Sequence, residues 1–423
     1  MWGSTVRAVN GLTARWATAL PASDTASDTA PPTTSPTARD KAPDAAAGEA
    51  TGTVFSACGV WPLLAFLADG AAGPARAELE DALGVPAERA AEAARDLLAG
   101  VERIPGVGSA VGLWTRPDVE PHGSWVAGLP AATLGRLGPD DAENQRELDA
   151  WAAKRTDGLI PTMPVTVDET SKLVLAVAQA LRTSWLRPFW EGGMLPDSGP
   201  WAGRELAALH RTTGLLDRVG VAETDAGPLT VLKVLGGTGI DVHLLLGPDE
   251  ADRGTVLKGG LDVLSGTCRT VPGDLLPLGE PGPGLNVRHV RSTSRDPYLA
   301  VTTSPFSLTA EHDLLAHHEV FGLTTARDLE RGHFPGISDF PLALTQAAQA
   351  TVARFDAQGF EAASVTAFAA AAGCAAPRTR HVVRRIDLDV DRPFGFLAVH
   401  RTSRLVLMAG WVNEPVPYVF DEE

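Results

Sequence analysis

Cysteine is scarce in this chain of 423 residues: there are 3, Cys58, Cys268 and Cys374, far apart and without a C-x-x-C pair. An odd, sparse set offers no disulfide framework and fits a reducing compartment. Long hydrophobic runs are missing as well. The longest uncharged stretches, 54–68 and 362–377, are too short or too interrupted to cross a bilayer. The first twenty residues carry Arg7 and Arg15 and lack a continuous apolar segment with a small-residue cleavage site. No secretory leader is therefore expected, and the cytoplasm is the simplest location, with an extracellular setting left open. Positive charge is in deficit too, with 36 Lys+Arg against 52 Asp+Glu and a formal net charge of −16. Nucleic acid and anionic membranes need clustered positive charge, so neither is expected as a partner. Only 5 of the basic residues are lysine, while Ala, Gly and Pro abound. That is the codon bias of a GC-rich genome, so Arg and Ala counts carry little functional weight.

Motifs for chemistry are equally thin. The 10 histidines include His312, His317 and His318, but no H-x-x-x-H or Cys/His cluster accompanies them. Solvated surface histidines and no metal site are expected. There is no Walker A motif. Gly106-Val-Gly108-Ser-Ala-Val-Gly112 is one residue too long for the dinucleotide pattern and precedes a strand where a helix is needed. G-x-S-x-G is absent, no Ser or Cys sits beside a nominated base, and Asp140-Asp141 reads as solvated loop charge. Neither an enzyme nor a bound cofactor is expected.

What is present is a mixed hydrophobic pattern. Val6, Val9, Leu12, Trp16 and Leu20 recur at three- and four-residue steps, predicting a helix over 5–20. Residues 21–50 turn to Ala, Asp, Thr, Ser and Pro, too polar to offset ordering entropy, and read as a disordered insertion loop. A short strand running into a helix that Pro62 can begin is expected over 54–67, followed by helices at 75–83 and 87–98. The spacing gives a strand at 109–114 and a helix at 144–155 carrying Leu148, Trp151 and Ala152 inward. The unbroken apolar run 173–181 predicts a strand buried on both faces. Strands are expected at 229–234 and 241–246, and a helix over 306–322 with Leu314, Leu315 and Phe321 as its apolar members. A hairpin of 394–399 and 405–412 closes the chain. Irregular interleaving of this kind is α+β, with no internal repeat.

The odd segment is 355–377, F-D-A-Q-G-F-E-A-A-S-V-T-A-F-A-A-A-A-G-C-A-A-P, uncharged after Glu361. Its alanines favour a helix. A dozen small residues have a second use, since a segment of little bulk can lie exposed and later slide between two strands.

At this point the chain resembles a serpin, in segments that stand in the family's order. Residues 5–20 resemble the first helix, and Val54-Phe-Ser56 with 61–70 the strand and helix that open the body. Trp151, Thr156, Gly158 and Ile160 match the pattern W-v-x-x-x-T-x-G-x-I, and Trp185, Pro188 and Phe189 the W-x-x-P-F exit from the central strand. Arg392-Pro393-Phe394 through Asn413-Glu-Pro415 is similar to the closing strands, one residue longer at the V-x-N-P signature. The resemblance covers nearly the whole chain outside 21–50 and implies a single serpin domain over 1–423. That fold has three β-sheets, eight or nine helices and an exposed reactive-centre loop, here 357–385. With the composition it points to a bacterial, actinobacterial-like member and a monomer.

It further implies a suicide-substrate protease inhibitor, whose cleaved loop inserts into the main sheet and traps the acyl-enzyme. The hinge falls on Ala357, Gly359, Phe360, Glu361, Ala362, Ala363, Ser364, Val365 and Thr366. An insertion of seventeen residues from Ala357 ends at Gly373, making Gly373–Cys374 the reactive bond, with Ala372–Gly373 and Cys374–Ala375 as near misses. Seventeen extended residues span roughly 56 Å, a full strand of a large sheet. Small residues before the bond point to an elastase- or subtilisin-like target. Arg378 and Arg380 would suit a trypsin-like enzyme, but cleavage there leaves five or seven residues of slack. The Arg-rich stretch 377–392 is a candidate secondary contact.

Three departures stand out. Ala357 replaces a hinge glutamate. Phe360 follows Gly359, so a phenyl ring must enter a packed core on insertion, at a cost of about 1–3 kcal/mol that would slow insertion roughly fivefold to over a hundredfold. On that reasoning Phe360→Thr should favour inhibition. In the region that opens the sheet, with Ser56, Val177 replaces the family's usual Asn and Gln349 its usual His, at the top of the main sheet. The alternative implied by Phe360 is a non-inhibitory relative acting as a protease substrate or a binding or carrier protein.

Overall fold

The computed structural model describes residues 2–20, 52–131, 133–168, 171–328, 330–360 and 380–419. The 21–50 insertion lies outside them. Helix α1 (Trp2–Ala19) buries Val6, Val9, Leu12 and Trp16 on one face, as the spacing predicts. Strand β1 (Gly52–Phe55) leads into α2 (Ala57–Gly70), whose first turn is capped by Ser56 accepting from the Gly59 N–H at 3.3 Å. Pro62 therefore does not begin the helix but stands inside it. Its missing N–H removes one intrahelical bond, in a helix that is buried at every position but Asp69. Helices α3 (Gly73–Leu83) and α4 (Ala87–Glu102) are parted by Gly84 in the left-handed region at φ 65°.

Next come β2 (Val107–Thr115), α5 (Gly123–Ala127), β3 (Leu134–Arg136) and α6 (Asp141–Arg155). Asp140 caps α6 by accepting from the Glu143 N–H at 3.0 Å, and Asp141 pairs with Arg116 at 2.6 Å. These carboxylates are solvated as expected, Asp140 exposed and Asp141 half-exposed, but they start a helix and do not lie in a loop. Thr156 ends α6: its hydroxyl donates to the Ala152 carbonyl at 2.8 Å and accepts from the Ile160 N–H at 3.1 Å. Of the three residues expected to face inward from this helix, Leu148 and Ala152 are buried and Trp151 is half-buried.

Strand β4 (Leu173–Leu181) is buried throughout. There follow β5 (Thr183–Ser184), β6 (Trp190–Met194), β7 (Leu206–Thr213), β8 (Val219–Thr224), β9 (Gly227–Leu235) and β10 (Ile240–Leu246). After α7 (Arg253–Ser265) come β11 (Thr270–Pro272), β12 (Leu285–Ser292), β13 (Tyr298–Thr303), β14 (Phe306–Asp313) and α8 (His318–Phe321). The last elements are β15 (Gln346–Phe355), β16 (Gly359–Phe360), β17 (His381–Asp389), β18 (Phe394–His400) and β19 (Leu405–Val412).

The helix expected over 306–322 is a strand for its first half. Phe306 and Leu308 are buried while Ser307 and Thr309 are exposed, a period of two. The apolar residues that pointed to a helix, Leu314, Leu315 and Phe321, all lie beyond the strand.

Eight helices among the described residues pack around three sheets. The main sheet runs β3-β2-β4-β15-β16-β5, with β14 also paired to β15. A second runs β1-β19-β18-β10-β9-β8-β11, and a third β12-β17-β13-β7-β6. Helices α1, α2 and α7 lie against β18 and β19, so the largest core sits between the main and second sheets. No described helix is long and apolar enough to cross a membrane, and no described group of His, Cys, Asp and Glu could hold a metal ion.

Two histidines lie half-buried against this core. His312 Nε2 bonds the Val54 carbonyl at 2.9 Å and its ring meets Trp16 edge-on at 5.2 Å. It is therefore not the solvated surface group its sequence setting implied. Burial lowers the pKa of His312 from 6.5 to about 4, the Val54 bond opposing, and burial with the nearby Lys233 charge does the same to His243 on β10. Both folded values lie below the unfolded one, so the unfolded chain binds more protons between them. Stability is then fully present above pH 6.5 and is lost as pH falls toward 4. Each ring is expected to contribute a loss on the order of 2 kcal/mol. Thermal unfolding measured from pH 7 to 4.5 should show this decline, and His312→Gln should flatten it. An unchanged slope in the variant removes His312 as a cause.

Candidate functional site: the fork of the main sheet

The parallel strands β4 and β15 pair from Gln346↔Val174 to Thr351↔Gln179 and no further. Beyond that point they diverge, and β16 occupies the fork. Phe360 pairs with Phe355 on one side and Thr183 on the other, and Gly359 pairs with Ser184, all antiparallel. Residues 359–360 thus form the first step of a strand between β15 and the continuation of β4. Described backbone resumes at Arg380, whose N–H donates to the Ser292 carbonyl at 3.0 Å.

The turn at 356–359 is closed by its own bonds and by a strap. Asp356 Oδ1 accepts from the Gln358 and Gly359 N–H groups at 2.8 and 2.9 Å, and the Asp356 N–H donates to the Gly359 carbonyl at 3.0 Å. From outside, Trp185 donates its backbone N–H to Gln358 O and its indole Nε1–H to Asp356 O, both at 2.9 Å. Phe189 N–H donates to Ala357 O at 2.8 Å. The W-x-x-P-F motif is therefore the clasp of this turn. Ala357 and Phe360 are buried, 4% and 0% exposed. Beneath them Phe355 meets Trp185 at 4.9 Å, Phe306 at 5.3 Å and Phe189 at 5.8 Å, and Phe360 lies 6.1 Å from Phe396. The ring expected to be forced into a packed core during insertion already has its pocket.

Ahead of β16 the paired stretch of β4 and β15 is pinned by a buried polar network. Gln349 Oε1 accepts from the Ser56 N–H and Gln349 Nε2 donates to the Ser56 carbonyl, both at 2.8 Å. Gln179 Oε1 lies 2.6 Å from the Ser56 hydroxyl, and Gln179 Nε2 donates to Leu407 O at 3.2 Å. The single Ser56 proton is shared between Gln179 and Leu407 O, the latter at 2.7 Å. Both glutamines are 0% exposed. One serine thus joins α2, β4, β15 and β19. Val177 stands opposite Gln349 in register but takes no part in this bonding. It fills the approach to Gly59, where an added Cβ would come within 2.5 Å of Val177 Cγ1. The amide comes from Gln179, two residues along. The pair expected at the top of the sheet lies inside its paired stretch. The one trace Gln179 leaves in the sequence is being the sole polar residue of L-V-L-A-V-A-Q-A-L.

Glu361, Ala362, Ala363, Ser364, Val365, Thr366, Ala372, Gly373, Cys374 and Arg378 lie outside the described residues. Strands at 359–360 and 381–389 leave less chain between them than the 357–385 expected for the loop. The Arg-rich stretch after it is largely strand β17, held antiparallel to β12 and parallel to β13. Arg385 pairs with Asp387 at 2.6 Å, and Arg384 bonds Leu276 O. Among the described cysteines, Cys58 is buried with its thiol pushed up to about 12, whereas Cys268 is half-exposed and not a core residue.

An interleaved three-sheet body, its main sheet forked around the root of a loop, is the architecture of a class of protease inhibitors. The family model described as Serpin (serine protease inhibitor) matches residues 44–194 and 287–415. The chain belongs to the serpin family. It is similar to a protein of Oryza sativa subsp. japonica named "Putative serpin-Z6C", 27% identical over 410 residues, 86% of this chain and 91% of that protein. Among solved structures it is similar to thyroxine-binding globulin in complex with thyroxine, with TM-score 0.67 at 15% identity over 98% of this chain and 99% of that one. A serpin from the trematode Schistosoma haematobium gives TM-score 0.64 at 15% identity over 98% and 100%. At such identity these two likenesses establish the fold alone.

Proposed function

We propose that this protein inhibits a serine-type endopeptidase, with cysteine-type enzymes as a second class, by offering Gly373–Cys374 as substrate and inserting the cleaved loop. The protease nucleophile adds to the Gly373 carbonyl, the peptide bond breaks and Cys374 leaves as a free amine. The acylated arm then extends β16 down the main sheet. The supporting observation is the seat of residues 359–360 in the fork, since a strand that is already started does not have to be nucleated. Small residues from Ala362 to Thr366 suit the same path. An elastase- or subtilisin-like enzyme with a shallow pocket fits the residues before the bond.

A second reading, a non-inhibitory serpin acting as substrate or carrier, draws on the closed stretch ahead of β16. Six residue pairs from Gln346 to Thr351 and the Ser56–Gln179–Gln349 network must yield before insertion proceeds. A denaturing gel after mixing with elastase, subtilisin and trypsin separates the two. The expected result is a covalent band at the summed mass and a released peptide beginning at Cys374. Cleavage without such a band overturns the inhibitory reading in favour of the second.

A further inference from the structure

One hollow gathers positive charge that its surroundings do not balance. It lies behind the clasp of the hinge turn, against β7 and β9, and encloses about 160 Å³. Arg187, Arg211, Arg218 and Lys233 converge on it, with Leu186 and Leu215 as apolar walls. The chain carries a net charge of −16, yet among the described residues the one carboxylate paired with any of these four cations is Asp217, 3.6 Å from Arg218 Nε. Arg211 is only 8% exposed. It donates to the Arg187 carbonyl at 3.1 Å and stacks its guanidinium 4.2 Å from the centre of the Phe189 ring. Its Nε has no hydrogen-bond partner, and neither has Arg218 Nε. Burial, reinforced by the charges of Arg187 and Arg218, lowers the Arg211 pKa to about 10. A buried cation among cations is costly unless an anion joins it. The walls add a second requirement, because Leu186 and Leu215 are 58% and 47% exposed at the mouth and leave apolar surface uncovered.

We propose that this hollow binds a small amphiphilic anion, a monocarboxylate with a short apolar body. Its head is held by Arg187, Arg211, Arg218 and Lys233, and its body lies against Leu186 and Leu215. The site is tied to the hinge through the backbone. Leu186 N–H donates to Leu235 O at 3.0 Å, and the flanking Trp185 and Phe189 N–H groups hold Gln358 and Ala357. An occupant that draws Arg187 toward Arg211 and Lys233 stiffens residues 185–189 and steadies the turn they clasp. The site stands on its own geometry, whether or not the loop traps a protease.

Titration calorimetry of the full chain with octanoate, 1-octanol and sulfate tests it. One octanoate per chain is expected, about tenfold tighter than 1-octanol, with sulfate competing and added salt weakening the binding. Arg211→Met should weaken octanoate about tenfold. Should that variant fail to fold, Arg187→Gln with Lys233→Gln, at less buried positions, carries the same test. Hydrogen exchange at Gln358 and Gly359 should slow when octanoate binds. No binding, equal affinity for octanoate and 1-octanol, or affinity that survives these substitutions overturns the site. Binding without slower exchange at the turn overturns the coupling to the hinge.

Discussion

Gln349→Ala is expected to lower the unfolding free energy by about 2–4 kcal/mol, because it strips two buried bonds at once. The Ser56 N–H at the start of α2 loses its partner, and the Ser56 carbonyl keeps only the longer bond from the Val60 N–H at 3.4 Å in place of the 2.8 Å bond from the amide. The same change unpins β15 from α2, so amides along 346–351 should exchange faster than those of β19. Denaturant unfolding combined with hydrogen exchange measures both effects. Gln179→Ala should cost less, since the Ser56 hydroxyl keeps Leu407 O at 2.7 Å. A loss below about 0.5 kcal/mol for Gln349→Ala would mean that the network does not clamp the sheet.

On the proposed inhibitory reading, Phe360→Thr should unseat residues 359–360 and move the protein toward plain cleavage. The ring is 0% exposed and packs near Phe396 at 6.1 Å. Its removal leaves a cavity that costs about 3 kcal/mol. If half of that falls on the insertion step, insertion slows about tenfold, and deacylation gains on it by the same factor. The measurement is the ratio of covalent complex to cleaved protein, with exchange at Gly359 and Phe360 as an independent readout. A variant that traps protease better than the parent, with an unchanged hinge, would restore the view that this ring obstructs insertion. The sequence alone leads to that view, because it assigns Phe360 to an exposed loop. The pairing of β16 reverses the sign of the expected effect.

Local patterns were legible wherever one residue's neighbours in sequence are also its neighbours in space. The stripe of α1, the unbroken run of β4 and the closing hairpin of β18 and β19 each state their own period. Strand β14 was not legible. Its alternation is only four polar or apolar steps long, and the heavier apolar residues that follow it belong to other elements. His312 was misplaced for a related reason: its burial depends on Trp16 and Val54, more than 250 positions away in sequence. The Trp185–Phe189 motif was visible as a signature, but its work as a clasp depends on carbonyls at 356–358 that only folding brings to it.

By itself the sequence determined the family, the α+β class, five of the eight described helices and seven of the nineteen described strands. Composition, periodicity and motif order are properties of the chain read in one direction, and they need no partner. The tertiary structure alone decided that β16 is already seated, that Gln179 and not Val177 supplies the second amide of the Ser56 network, and that four cations face one hollow. Each of these is a contact between segments far apart in sequence. Its energy depends on burial and on the geometry of the partner, and neither is written in local sequence.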